Sequence, residues 1–404
     1  MTNRNAALRR LAFSAILLAF PFNSAVAQEA SAVAERIKAS AAAQGTVLDW
    51  TGVTGDASSM VLEGVTVKAA NMDAALAIGN VTLSGIVEEN GGYRVETTTT
   101  SPISTTSEGV TFDMSSMLIR GWNIPAENPA DPLDTLSLWD SAEIASMTFK
   151  MADKTVFSIA GVSSTVTRPA DGKPMDFTGG IASFTGDLSG IKDPQTKAVV
   201  DAFGYQTING SYKAEGTWNL ADGRLNITQN DITVENAGKF GFKFDFGGYT
   251  LDFIKQMQEV QKKMAAQPAG ETNSSADMEM LGLMQQLSLS GATIRFDDAS
   301  LTGKILDYVA NQQGQKRENI VNLAKAGLPF ALMQLQLPDL AAAISPAVNA
   351  YLDDPRSIEI KAAPPAPVPF TMLGGAAMAN PNDPGATAKA IWSMLGVTVT
   401  ANQP

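Results

Sequence analysis

Between Lys239 and Gly247 the chain reads KFGFKFDFG, which puts Phe240, Phe242, Phe244 and Phe246 at every second position. Side chains of a strand alternate between its faces, so this spacing sends four rings to one side and Gly241, Lys243, Asp245 and Gly247 to the other. A helix would scatter the same rings around its circumference. The segment therefore belongs to a sheet with one aromatic face. Each ring carries on the order of 150–250 Å² of surface, and that much apolar area must be covered or put to use.

The pattern around the ladder extends the same reading. From Val47 to about Phe246 short alternating runs are broken by turn residues: Val65-Thr66-Val67-Lys68 and Val81-Thr82-Leu83-Ser84 have period two. Asn90-Gly91, Asp171-Gly172 and Asp222-Gly223 sit between such runs, where tight hairpins favour residues that tolerate a left-handed backbone. Around the third, Trp218, Leu220, Leu225 and Ile227 are expected on one buried face. The expected fold class is α+β: a predominantly antiparallel meander or elongated sheet, with helices packed on one face and a mixed α+β C-terminal third.

Helical spacing marks the remainder. An Ala-rich first helix spans 30–43 and ends at Gly45. Thr250 caps a helix over 251–264 with Phe253, Met257, Val260 and Met264 along one stripe. The polar stretch 267–277 reads as a mobile loop, and a Met-rich helix follows over 278–287. Further helices are expected over 300–311, over 315–326 with a stop at Gly327 and Pro329, over 337–351 with an interruption near Pro346, and over 386–395. Strands are expected at 287–298, 357–361 and 397–400, and 362–369 (AAPPAPVP) reads as extended polyproline. The divisions are thus 1–27, 28–250, 251–287 and 288–404, the last forming one continuous unit with the β-rich region 28–250.

Residues 1–27 have the layout of a cleavable export signal: Arg4, Arg9 and Arg10, an apolar run from Leu11 to Phe20, and the small-x-small site Ala25-Val26-Ala27. A run of about ten residues is too short to cross ~30 Å of hydrocarbon as a helix, and no later segment is apolar for long enough. The expected location is the periplasm of a Gram-negative cell, or secretion beyond it. The net charge of −12, which loss of the three arginines would take to −15, opposes nucleic-acid binding.

The chain contains neither His nor Cys. That excludes Ser-His-Asp and Cys-His relays and disulfides, and all but excludes zinc held by its usual ligands. No phosphate-binding loop, dinucleotide fingerprint or calcium loop is present, so no cofactor is expected. What remains is carboxylate chemistry, with Asp297, Asp298, Asp353 and Asp354 as candidates. Neighbours on a strand face opposite ways, Asp298 precedes a helix whose dipole favours an acid, and Asp353-Asp354-Pro355 reads as a turn.

The stretch 186–194 (GDLSGIKDP) leads into an amphipathic helix ending at Gly204-Tyr205, followed by the Trp218 hairpin, the Phe ladder, and LSGATIRFDD at 289–298 before another helix. Over roughly 186–310 this succession resembles uncharacterised periplasmic proteins of alphaproteobacteria and, more loosely, the AsmA-like group of envelope proteins built on long β-sheets. The resemblance implies a role in envelope lipid homeostasis through a hydrophobic β-groove. The chain departs from that group in its cleavable-looking signal and shorter length, and no functional residue carries over.

The expected function is non-enzymatic: binding or transfer of an apolar ligand such as a lipid, or docking of another envelope protein. Phe240, Phe242, Phe244, Phe246, Met257 and Met264 are the candidate lining residues. The same residues could instead form a closed core that binds nothing. The alternatives from other classes are a carboxylate-dependent hydrolase of envelope glycans and a structural or adhesion module.

Overall fold

The computed structural model describes residues 22–69, 75–127, 132–169, 173–265, 274–379 and 383–404. The chain opens with α1 (Phe22–Ala43), which runs unbroken through Ala25-Val26-Ala27. Then come β1 (Thr46–Asp49), β2 (Gly52–Gly55), β3 (Ser59–Ala69), β4 (Leu76–Glu89), β5 (Gly92–Thr100), β6 (Ile103–Ser107), β7 (Val110–Met114) and β8 (Met117–Ile124). The middle comprises β9 (Ser141–Met151), β10 (Lys154–Thr167), β11 (Met175–Asp187), α2 (Pro194–Phe203), β12 (Thr207–Asn219), β13 (Arg224–Val234) and β14 (Gly238–Gly247). After α3 (Leu251–Ala265) and α4 (Ser274–Met284) come β15 (Ser288–Asp298), α5 (Leu301–Gln313), α6 (Arg317–Gln334), α7 (Pro338–Asp353) and β16 (Ser357–Ala362). The chain closes with β17 (Val368–Pro369), α8 (Phe370–Ala379), α9 (Pro384–Leu395) and β18 (Thr398–Ala401).

Among the described residues, 18 strands join one antiparallel sheet, so the expected α+β class and long meander hold. Pairing runs β3–β4–β5–β8–β9–β10–β11–β12–β13–β14–β15–β16–β18. Strands β1 and β2 lie beside β3, and β6–β7 attach to β9.

Burial along this sheet is uneven. At the N-terminal end Val33, Ala34 and Ile37 of α1 seal Met60, Leu62, Leu83, Val95 and Ile124. At the other end α3 and α4 close over Phe246 and Tyr249 through Phe253, Val260, Leu283 and Leu287. Between them, β9, β10 and β13 contain no buried residue. The chain exposes 24379 Å², far more than the ~15,000 Å² of a compact monomer of this mass. A single-layer sheet whose middle strands β9, β10 and β13 carry no buried residue contributes to this excess.

Several boundaries differ from expectation. Helix α6 continues through Gly327 and Pro329 to Gln334. Proline there removes one helical hydrogen bond, but packing of α6 along α7 holds the helix on. Helix α7 likewise contains Pro346 without ending. Residues 274–277 form the first turn of α4 rather than loop, while the rest of the expected loop from 267 to 273 lies outside the described residues. Helix α8 follows the proline-rich stretch directly, and its lack of polar periodicity left no signal for it. The Asp171-Gly172 turn lies outside the described residues.

Candidate functional site: an open apolar row across the sheet

The candidate site is a property of register. Residues directly opposite one another on neighbouring antiparallel strands share a face. Starting at Met117 in β8, successive partners are Ile144, Val162, Ile181, Tyr212, Ile232, Phe240, Phe296, Ile358 and Ala401. All ten are apolar or aromatic, one from each of ten strands, and none is buried. Ile232 and Phe240, side by side at its middle, are 44% and 47% exposed. At ~4.8 Å per strand the row is about 43 Å long.

The opposite face has the reverse chemistry. One position along, the partners are Leu118, Glu143, Ser163, Gly180, Lys213, Asp231, Gly241, Arg295, Glu359 and Thr400, mostly polar or charged beyond β8. Ion pairs tie it together: Arg295 to Asp297 at 2.8 Å and to Glu359 at 3.5 Å, and Lys239 to Asp297 at 3.2 Å. Water satisfies one side of this sheet, whereas no described helix covers the middle of the other.

Two neighbouring rows show how the apolar face is finished. Val166, Phe177, Gly216, Ile227, Phe244, Ala292 and Ala362 form one. At Gly216 the Phe177 ring lies across the backbone, 2.5 Å from where a Cβ would stand; Phe184 does the same over Gly210, at 2.3 Å. Glycine here lets a ring lie flat over the strand. Nearer the helices Met175, Trp218, Leu225, Phe246, Leu289 and Val368 form a better-covered row, with Met175, Trp218 and Val368 buried and the other three half-buried. Trp218 donates its indole N–H to the Tyr249 carbonyl at 2.8 Å. A second aromatic line, Phe112–Phe149–Phe157–Phe184, crosses β7, β9, β10 and β11 with ring centroids 4.9, 6.3 and 6.2 Å apart.

The expected lining residues divide along this line. Phe240 is exposed, and Phe242 and Phe244 are half-buried, their rings 5.3 Å apart. Phe246 stacks on Phe244 at 5.3 Å but packs with Met257 into the α3–α4 cluster. Met257 and Phe246 thus belong to a core, because α3 lies over the far end of the ladder and not along its length. The side chain of Met264 lies outside the described residues. Of the hairpin set, Trp218 is buried, whereas Leu225 and Ile227 are only half covered and Leu220 falls in the turn. Sequence reasoning missed Ile144, Val162, Ile181, Tyr212, Ile232, Phe296 and Ile358; each alternates locally, but their alignment depends on pairing between distant segments.

The carboxylates considered for hydrolysis are otherwise engaged. Asp297 lies on the polar face between Lys239 and Arg295. Asp298 accepts the Thr302 backbone N–H at 2.8 Å, in the first turn of α5. Asp353 pairs with Lys325, and Asp354 with Arg356 at 2.9 Å.

A family model described as an uncharacterized protein matches residues 231–402, from within β13 to the end of β18. A search of curated proteins returns no match.

Proposed function

We propose that this is a non-enzymatic protein of the bacterial envelope, exported by its N-terminal signal, that holds an apolar ligand against the open row of its sheet. The ligand is a lipid, and its acyl chain lies across the strands. One observation carries this reading: ten adjoining strands each place an apolar or aromatic residue on the row, none of them buried and Ile232 and Phe240 at its middle exposed, while the reverse row is largely polar and charged. Contiguous exposed apolar surface marks a binding site more often than chance. The row, at about 43 Å, exceeds the ~30 Å hydrocarbon thickness of a whole bilayer, so an acyl chain fits along it with room to slide. The resemblance to the AsmA-like group implies the same use. Packing of Phe246 and Met257 against the α3–α4 cluster narrows the lining from the whole ladder to Phe240, Phe242, Phe244 and the cross-strand partners of Phe240.

The test is mass spectrometry of organic extracts from protein purified without detergent. Lipid should co-purify with the wild type, and the pair Ile232→Asp and Phe240→Asp should remove it while leaving the fold intact. An extract free of lipid, together with an unchanged melting temperature on adding lipid, would overturn the reading.

A further inference from the structure

Where β5 and β8 meet the start of β9, three of the eight arginines beyond residue 27 collect. Arg94 and Arg120 line an open cavity of about 740 Å³ together with Ser58, Gly85, Glu96 and Asp140. The backbone brings in the third. Asp140 donates its N–H to the Arg120 carbonyl at 2.9 Å, and Val166 donates to the Asp140 carbonyl at 2.9 Å. Arg168 stands two residues past Val166, just beyond the end of β10. The other five, Arg36, Arg224, Arg295, Arg317 and Arg356, each pair with a carboxylate.

This cluster is not satisfied from within. Arg94 pairs with Asp140 through Nη2, lying so close over Gly121 (φ +61°) that a Cβ there would stand 2.6 Å from that nitrogen. Arg94 Nη1 is buried without an acceptor, and so are Nε and Nη2 of Arg168. Burial and the neighbouring charge of Arg94 push the Arg168 guanidinium below its usual range, against the opposite pull of Asp140, Glu89 and Asp134. None of these three carboxylates bonds to the buried Arg168 nitrogens. Asp140 is taken by Arg94, and Asp134 by the Asn90 amide at 3.1 Å. A buried donor on a charged group is costly to leave unpaired, so an acceptor from outside the chain completes the arrangement.

The donors say which acceptor. Nε and Nη2 of one guanidinium form an edge that takes two oxygens side by side, and Arg94 Nη1 adds a third donor from another strand. The two oxygens of a carboxylate are used up by one such edge. A phosphate group offers further oxygens at tetrahedral angles. The Arg94 side chain is 26% exposed and borders the cavity, which gives the ligand its way in. The cavity has room for the molecule that carries the phosphate.

We propose that Arg94 and Arg168, with Arg120 beside them, form a binding site for the phosphate group of a phosphate ester. Arg94 and Arg168 supply the hydrogen bonds, and Arg120 adds positive charge against Glu96, the second carboxylate that lines the cavity.

Titration calorimetry of the full chain tests this with inorganic phosphate, acetate and glycerophosphoglycerol, a lipid headgroup without acyl chains. None of the probes needs the sheet row, so the result is independent of the apolar ligand. Phosphate should bind roughly tenfold more tightly than acetate. Arg168→Gln should weaken phosphate by roughly tenfold or more, and so should Arg94→Lys, which keeps the charge but loses the fork. Glu96→Gln, which removes a negative charge and no donor, should tighten it. Circular dichroism and melting temperature would confirm that the variants fold; Arg168→Lys offers a second route should Arg168→Gln not. Tighter binding of glycerophosphoglycerol than of phosphate would make a lipid headgroup the source, and the reverse a soluble phosphate compound. No binding of either by the wild type would overturn the proposal. So would acetate binding as tightly as phosphate, or phosphate binding equal in the wild type and the arginine variants.

Discussion

Phe240 and Phe253 lie thirteen residues apart and would rank alike on any hydrophobicity scale, yet one is 47% exposed and the other 1%. Phe253 meets Tyr249 with centroids 5.5 Å apart inside the α3–α4 cluster. Its replacement by Ala should cost about 3–5 kcal/mol through lost burial and a cavity. Phe240→Ala should cost less than ~1 kcal/mol, because half its ring already meets water. Chemical denaturation of the two variants compares them directly; equal losses would mean that Phe240 is sealed. A different residue reports on charge. Lys154 donates to Asp187 at 2.6 Å, and with Ser189 it holds that carboxyl at about 2, below its ordinary 3.8. A depressed carboxyl pKa stabilises the fold above the unfolded value, and the contribution fades as pH falls from about 3.8 towards 2. Lys154→Met should move the Asp187 titration, followed by NMR, back up towards 3.8; no movement would show that the pair does not form.

At the scale of elements, β12 shows what a sequence conveys and what it withholds. Its strand character and the Trp218 turn are legible from alternation. The need for Gly210 and Gly216 is not, because it arises on the neighbouring strands, from the Phe184 and Phe177 rings on one side and the Thr233 and Asn226 carbonyls on the other. Gly216→Val should crowd both the Phe177 ring and the Asn226 carbonyl and cost ~1–3 kcal/mol by overpacking, read as a lowered denaturation midpoint; an unchanged midpoint would mean that neither approach is as close as described. The Phe ladder was visible as a face for the same reason that its cover was not. Period two fixes which way rings point, but whether α3 lies along β14 or over one end depends on tertiary packing. Helix α6 illustrates the converse error: Gly327 and Pro329 are local stop signals that contact with α7 overrides.

Among the described residues the molecule is a long sheet with helical cover at both ends and no helix over its middle. Neither end alone suggests a function; the open row exists only because β8 to β18 align in register across the full sheet. The absence of cysteine makes its test clean, since an introduced thiol is the only one to label. A bimane fluorophore would be attached at Ile232→Cys, at Ile181→Cys, or on the reverse face at Lys213→Cys, and a doxyl-labelled fatty acid added as quencher. The two apolar-face labels should be quenched at concentrations that leave the Lys213→Cys label unaffected. Equal quenching on both faces, or none on either, would contradict an apolar ligand held along the open row.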